Sequence, residues 1–230
     1  MTFLKSLQNK NKTLTISGFS IISLLLLIPS ALIAVNLCDI YSAIVSAVIL
    51  MIVAIPFHCI ARKYNFLYLI SFILNSVANS LSVSAYYIHT GKEPDIMSMA
   101  TAVVPSIIVL LTAVLVNNVF NAPKKCTMIT SGIINAMLTI STLILWITKG
   151  NIVFSFAFFA SIITLFYILV MGISVDHKER NVLRDISFGS FGSFVIVTVV
   201  VLFIISEGDI VADLGSVTPD TPPNKKKAIK

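Results

Sequence analysis

Charged residues are scarce in this chain of 230 residues, and their scarcity excludes an ordinary soluble domain. Asp, Glu, Lys and Arg make up 11% of the sequence, whereas hydrophobic residues make up 57% and the mean hydropathy is +0.98. Soluble domains are typically about 25% charged. Seven apolar stretches of roughly 20 residues occupy most of the length. They leave no room for a soluble catalytic domain.

Residue types that carry chemistry are also few. The three cysteines, Cys38, Cys59 and Cys126, do not form a disulfide framework, and the three histidines lie in separate segments. No Asp or Glu stands in the middle of an apolar stretch, which disfavours a proton relay. The motifs H-E-x-x-H and G-x-S-x-G and a phosphate-binding glycine loop are absent. We therefore predict a protein that is not an enzyme and that has no catalytic residues, metal or cofactor.

The apolar stretches predict seven transmembrane helices. A helix that rises 1.5 Å per residue needs about 20 residues to cross roughly 30 Å of hydrocarbon. The predicted spans are residues 14–35, 40–61, 64–88, 97–120, 127–148, 152–175 and 187–206. We expect the polar tail at 207–230, which contains three prolines, to be disordered. The predicted fold class is an all-α, polytopic bundle of about seven transmembrane helices.

Basic residues alternate from loop to loop, and this pattern predicts the orientation. With the amino terminus in the cytoplasm, ten Lys and Arg fall on the cytoplasmic side and two, Lys92 and Lys149, fall outside. Seven spans place the lysine-rich tail outside, whereas six or eight would place it inside. Because the charges follow topology, we expect no nucleic-acid partner. We expect a multi-pass protein of a bacterial cytoplasmic membrane, in contact with the lipid bilayer.

Amide side chains within the spans are the candidates for a solute path. Polar groups inside a membrane are costly and tend to face the bundle interior. Asn75 and Asn79 are four residues apart and share one helical face of the third span. One hypothesis is that Asn135 of the fifth span meets them across a central cavity, and Asn117 of the fourth span is a further candidate. The alternative is that these amides join helices by hydrogen bonds, each worth about 0.6 kcal/mol.

Small residues recur at the start of the seventh span and predict close helix packing. The helix-packing candidates are Gly189, Ser190, Gly192 and Ser193. Small side chains let helices approach closely, either within one chain or between subunits.

A short similarity suggests an internal repeat. The segments 15–18 and 129–132 both contain a hydroxyl residue, Ser and Gly, and each opens a span from the cytoplasmic side at an offset of 114 residues. This offset permits a parallel arrangement of three spans, one inverting span and three more spans, which occurs in some transporters.

The scarcity of ionisable groups inside the spans favours passive or partner-driven roles. Our leading hypothesis is a small permease or facilitator for a neutral polar solute. The alternative is a non-catalytic accessory, immunity or transporter-complex subunit that acts through helix contacts, as a homo-oligomer or with a membrane partner. The substrate, the energy coupling and the partner are not specified by the sequence.

Overall fold

The computed structural model consists of seven long α-helices. It describes the backbone of residues 12–61, 63–93, 95–118, 124–176 and 181–216, and the side chains of 12–61, 63–93, 95–116, 126–174 and 181–206. The helices are α1 (Lys12–Leu37), α2 (Ile40–Ile60), α3 (Leu67–Thr90), α4 (Ile96–Asn118), α5 (Lys124–Lys149), α6 (Ile152–Asp176) and α7 (Val182–Ser216). Within these residues there is no strand, and all seven helices are long and apolar enough to cross a membrane. The predicted all-α, multi-span fold is confirmed.

The observed helix boundaries lie within three residues of the predicted ones except in α7. This helix begins at Val182 rather than at residue 187, and its backbone continues to Ser216. The first ten residues of the tail that we expected to be disordered are therefore helical. Residues 217–230 of that tail lie outside the described residues.

An asparagine cap explains the earlier start of α7. The Asn181 side-chain oxygen accepts hydrogen bonds from the backbone N–H groups of Leu183 (3.1 Å) and Arg184 (3.5 Å), as a preferred N-cap residue does. Its amide nitrogen donates to the Asn65 side chain at 2.9 Å, which ties α7 to the loop before α3. As a result Asp185, which the prediction placed in a loop, lies in the first turn of α7 and is 3% exposed.

Aspartate caps begin α2 and α4 at the opposite side of the bundle. The Asp39 carboxylate accepts from the Ser42 backbone N–H at 2.7 Å, and the Ser42 hydroxyl accepts from the Asp39 N–H at 3.0 Å. The hydrogen bonds from Ser42 lower the pKa of the Asp39 carboxyl. Asp95 caps α4 in a similar way, with bonds from the Ser98 N–H at 2.9 Å and from the Ser98 hydroxyl.

Helices α3 and α6 form the centre of the bundle. In their membrane-spanning windows 61% and 67% of the residues are buried, against 17% for α2 and 22% for α5. α1 packs against α3, α4, α6 and α7, whereas α2 lies mainly on α3 and α5 mainly on α6. The polar third span is therefore the helix that most needs interior partners.

We call the side on which α1, α3, α5 and α7 begin the predicted cytoplasmic side, and the opposite side the predicted outer side.

The helix contacts repeat in inverted order rather than in the parallel order suggested by the offset of 114 residues. A parallel repeat requires α5 to pack on α7 as α1 packs on α3, but α5 and α7 share no extensive contact in the described residues. Instead, α2, α3 and α4 correspond to α5, α6 and α7, and α1 corresponds to itself. The contact α2–α3 has its counterpart in α5–α6, the contact α3–α7 in α6–α4, and the contact α1–α3 in α1–α6. The paired helices cross the membrane in opposite directions because consecutive spans alternate. The contact between α6 and α7 breaks this symmetry, because the corresponding helices α3 and α4 share no extensive contact within the described residues.

Candidate functional site

Side-chain hydrogen bonds connect α3 to α7 over about 16 Å, roughly half of the membrane thickness. Three pairs join the helices at chain separations of 114 or 116 residues: Ser71 with Ser187 (2.9 Å), Asn79 with Ser193 (3.0 Å) and Ser82 with Thr198 (2.8 Å). A nearly constant separation means that the two helices run parallel and in register. Part of the polar face of α3 therefore serves to hold α7 in place, as expected for interhelical hydrogen bonds in membranes.

The small residues of α7 pack within the bundle. All four helix-packing candidates of the sequence lie in this segment: Gly189, Ser190, Gly192 and Ser193. A Cβ atom on Gly192 would lie 2.9 Å from two ring carbons of Phe166, and one on Gly189 would lie 3.0 Å from Cγ2 of Val170. The two serines are fully buried. This segment therefore makes a close contact with α6 on one face and hydrogen bonds to α3 on another.

A cavity of about 260 Å³ lies between α2, α3 and α7, toward the predicted cytoplasmic side. Ser71 and Asn75 of α3 line its floor, and its walls include Ile55 and His58 of α2 and Phe188 of α7. Asn75 is 1% exposed, and its side-chain oxygen accepts no hydrogen bond. Asn75, a predicted path residue, therefore lines this cavity, but its side-chain oxygen is almost inaccessible, as are the unpaired side-chain oxygens of Asn79 and Asn135.

His58 joins the same cavity to the α3–α7 hydrogen bonds. Its Nδ1 atom lies 3.0 Å from the Ser187 hydroxyl oxygen, and Ser187 donates to Ser71 at 2.9 Å. With this arrangement Nδ1 carries the proton and donates to Ser187, an assignment that follows from the hydrogen-bond pattern. The imidazole edge also contacts the Tyr68 ring, with centroids 5.2 Å apart. Nothing in the sequence brings α2 beside α7, so the sequence alone does not place His58 at this site.

The predicted path residues do not all meet. Asn79 is 1% exposed and donates to α7, as described above. Asn135 of α5 is fully buried and donates to the Ser161 carbonyl of α6 at 2.8 Å. Because α5 has no extensive contact with α3 in the described residues, Asn135 does not share a central cavity with Asn75 and Asn79. The Asn117 side chain lies outside the described residues.

Aromatic side chains close the space between α3, α5 and α6 on the predicted outer side. The Trp146 indole N–H donates to the Tyr86 hydroxyl at 3.0 Å, and the two rings meet edge to face at 5.2 Å. Phe159 packs against both, with centroid distances of 5.7 and 5.8 Å. The Tyr87 hydroxyl lies 3.2 Å from that of Ser155. Trp146 is therefore part of a packed aromatic cluster.

A cluster of hydroxyl groups occupies the middle of the bundle. The Ser23 and Ser76 hydroxyls lie 3.1 Å apart and link α1 to α3. The Tyr167 hydroxyl of α6 is fully buried close to these groups and to Ser190 of α7. It makes no contact that meets hydrogen-bond geometry. Four helices, α1, α3, α6 and α7, therefore meet around a buried set of hydroxyls.

No cluster of three or more His, Cys, Asp or Glu side chains suited to a metal ion occurs in the described part of the chain. Comparisons with protein-family models, with curated proteins and with solved structures each find no match. The seven apolar helices fit an integral, multi-pass membrane protein in contact with lipid. Any more specific function depends on the geometry of the cavity.

Proposed function

We propose that this protein is a small permease or facilitator for a neutral polar solute. The observation that carries the proposal is the cavity between α2, α3 and α7, whose lining includes the polar residues His58, Ser71 and Asn75. Polar groups within a membrane span are costly and often mark a solute or ion pathway. The volume of about 260 Å³ suits a small organic molecule.

The chemistry of the cavity favours an uncharged solute. Among the described residues that line it, the polar ones are His58, Ser71 and Asn75, and none is Asp, Glu, Lys or Arg. A charged solute inside the membrane would need a paired counter-charge, since desolvating an isolated ion costs far more than desolvating an amide. The cavity offers amide, hydroxyl and imidazole groups, which suit hydrogen bonding to a neutral molecule.

The helix arrangement supports a transport role. Inverted-topology repeats are common in secondary transporters, where substrates bind at the interface between the repeats. The inverted pairing of α2–α4 with α5–α7 has this form, with α1 between the two sets. The cavity lies toward one side only, while aromatic side chains fill the other.

A second candidate function is a membrane accessory subunit. An apolar groove of about 460 Å³ runs between α5 and α6, and its small residues include Gly132, Ala136 and Gly172. Small residues on a lipid-facing surface allow another helix to approach closely. This groove, together with the use of Asn79 in helix packing, favours a role through helix contacts.

Solute flux into liposomes tests the permease proposal. Purified full-length protein is reconstituted, and stopped-flow light scattering follows the entry of urea, glycerol and benzamide. We expect at least one solute to enter several-fold faster than into protein-free liposomes. Asn75→Leu, which removes the carbonyl but keeps a similar side-chain size, is expected to lower that flux several-fold.

The matched control is Asn135→Leu, because Asn135 also has a buried oxygen without a partner but does not line the cavity. It is expected to retain the flux, and size-exclusion chromatography shows whether each variant is folded. Flux equal to that of empty liposomes from a monodisperse protein would contradict the permease proposal. A tightly co-purifying membrane partner in that case favours the accessory role.

A further inference from the structure

Hydrogen bonds between loops repeat the inverted arrangement of the helices. On the predicted cytoplasmic side, the Asn181 amide of the α6–α7 loop donates to Asn65 of the α2–α3 loop at 2.9 Å. On the predicted outer side, the Lys92 ammonium of the α3–α4 loop donates to the Gly150 carbonyl of the α5–α6 loop at 2.7 Å. When α2, α3 and α4 are matched to α5, α6 and α7, each bond is the counterpart of the other. The inverted repeat is therefore present in loop contacts as well as in helix contacts.

The two equivalent helical hairpins differ in conformation. α6 and α7 pack closely, since a Cβ atom on Gly189 would lie 3.0 Å from Cγ2 of Val170. α3 and α4 are joined by a loop of the same length, yet they share no extensive contact in the part of the chain that the structure describes. The same hairpin thus occurs packed in one repeat and splayed apart in the other.

This difference decides which helix lies beside α3 and which lies beside α6. Beside α3, where α4 is not packed, the Trp146 indole of α5 reaches the Tyr86 hydroxyl and closes the outer side. Beside α6, where α7 is packed, α2 makes no extensive contact with α6 among the described residues, and the cavity lies between α2, α3 and α7. α5 therefore closes over α3, whereas its counterpart α2 does not close over α6.

α4 and α7 contain residues that weaken a helix at equivalent depths. Pro105 is the tenth residue of α4, and Gly192 is the eleventh residue of α7. Pro lacks the N–H that closes a helical hydrogen bond, and Gly has the lowest helix propensity after Pro. At 1.5 Å per residue each lies about 14–15 Å from the start of its helix, near the middle of the membrane. These positions allow the outer half of α4 and the cytoplasmic half of α7 to change direction.

We propose that the protein has a second state in which the two hairpins exchange conformations. The outer half of α4 packs on α3 and displaces α5 there, and the cytoplasmic half of α7 leaves α6 and makes room for α2. The cavity between α2, α3 and α7 closes, and its counterpart opens between α4, α5 and α6 on the predicted outer side. The proposal rests on the proposed function for its purpose, because alternating access in inverted-repeat carriers moves one repeat against the other. The exchange itself is measured without flux.

Distances between α2 and α5 distinguish the two states. With the three native cysteines replaced by serine, spin labels are attached to Tyr41→Cys and Ile147→Cys at the outer ends, or to Ile60→Cys and Ile129→Cys at the cytoplasmic ends. All four native side chains are more than half exposed. Double electron–electron resonance is recorded on the full-length protein in nanodiscs. In the second state the outer pair should lengthen and the cytoplasmic pair should shorten, each by roughly 5 Å, about half a helix diameter.

Two substitutions shift the equilibrium, and each is read on the opposite side of the membrane. Gly189→Leu forces a large side chain against Val170 on the cytoplasmic side, so we expect a longer distance in the outer pair. Trp146→Ala removes the outer contact with Tyr86, so we expect a shorter distance in the cytoplasmic pair. The matched control is Gly18→Leu, which should keep both distances, because a Cβ atom on Gly18 meets nothing within 4 Å.

The outcomes separate this proposal from the proposed function. A distance change confined to the side that carries the substitution overturns the exchange, as do unchanged distances in both folded variants. If Gly189→Leu does not fold, as judged by size-exclusion chromatography, the smaller change Gly189→Ala takes its place. Coupled distance changes without flux of any solute refute the permease but not the second state. Flux from a protein whose distances stay fixed in every variant does the reverse.

Discussion

Gly192 offers a quantitative test of how α7 packs on α6. A Cβ atom at this position would lie 2.9 Å from two ring carbons of Phe166, whereas one at Gly18 of α1 would meet nothing within 4 Å. Replacing Gly by Ala inside a helix gains about 1 kcal/mol, and overpacking costs about 1–3 kcal/mol. We therefore expect Gly18→Ala to stabilise the protein by about 1 kcal/mol. Gly192→Ala should leave stability unchanged or lower it by up to about 2 kcal/mol.

The measurement is the free energy of unfolding in mixed micelles titrated with a denaturing detergent. The informative quantity is the difference between the two alanine variants, expected to be about 1–3 kcal/mol. Phe166→Leu removes the ring that the new methyl group would meet, so the double variant with Gly192→Ala should recover much of the loss beyond the sum of the single effects. Equal stability of Gly18→Ala and Gly192→Ala would refute the close contact between α6 and α7.

Three further predictions concern hydrogen bonds and topology. Asn79→Ala removes the donor to Ser193 and should lower the free energy of unfolding by about 0.6–1.7 kcal/mol, with little further loss when Ser193→Ala is added; additive losses would contradict the pairing. Tyr86→Phe removes the hydroxyl that accepts from Trp146, so the emission of this sole tryptophan should shift to shorter wavelength; an unchanged spectrum would argue against the bond. A tag after Lys230 should be accessible to protease outside intact cells, because seven spans place the two termini on opposite sides; protection there would mean a different number of spans.

The seven helices were predictable because lipid imposes a length and a composition on every span. About 20 apolar residues are needed wherever the chain crosses hydrocarbon, and this requirement acts locally on each segment. The one large error, at α7, arose where a charged segment continues a helix. Asn181 caps that helix, and Asp185 is buried in its first turn, so hydropathy alone placed the start five residues too late.

The candidate site was only partly predictable. Polar side chains inside a membrane carry a free-energy cost, and this cost is the reason that Asn75 and Asn79, which share a helical face, were predicted as candidates. This cost does not distinguish the two, yet the Asn79 amide nitrogen donates to Ser193 of α7, whereas Asn75 lines a cavity. His58 was not expected at the site, because its place there depends on α2 and α7 meeting over α3. The roles of Asn75 as a solute contact and of Asn117 stay predictions.

The sequence by itself determined that this protein is a multi-span, all-helical membrane protein with few ionisable groups inside its spans, because hydropathy and charge act on each segment independently of its neighbours. Only the tertiary structure decided which helices are central and which amides join helices. It also decided that α2, α3 and α7 leave a cavity between them. Those features depend on contacts between residues more than 100 positions apart, such as Ser71 with Ser187. Helix periodicity shows which face of a span is polar, but it carries no information about which other helix that face will meet.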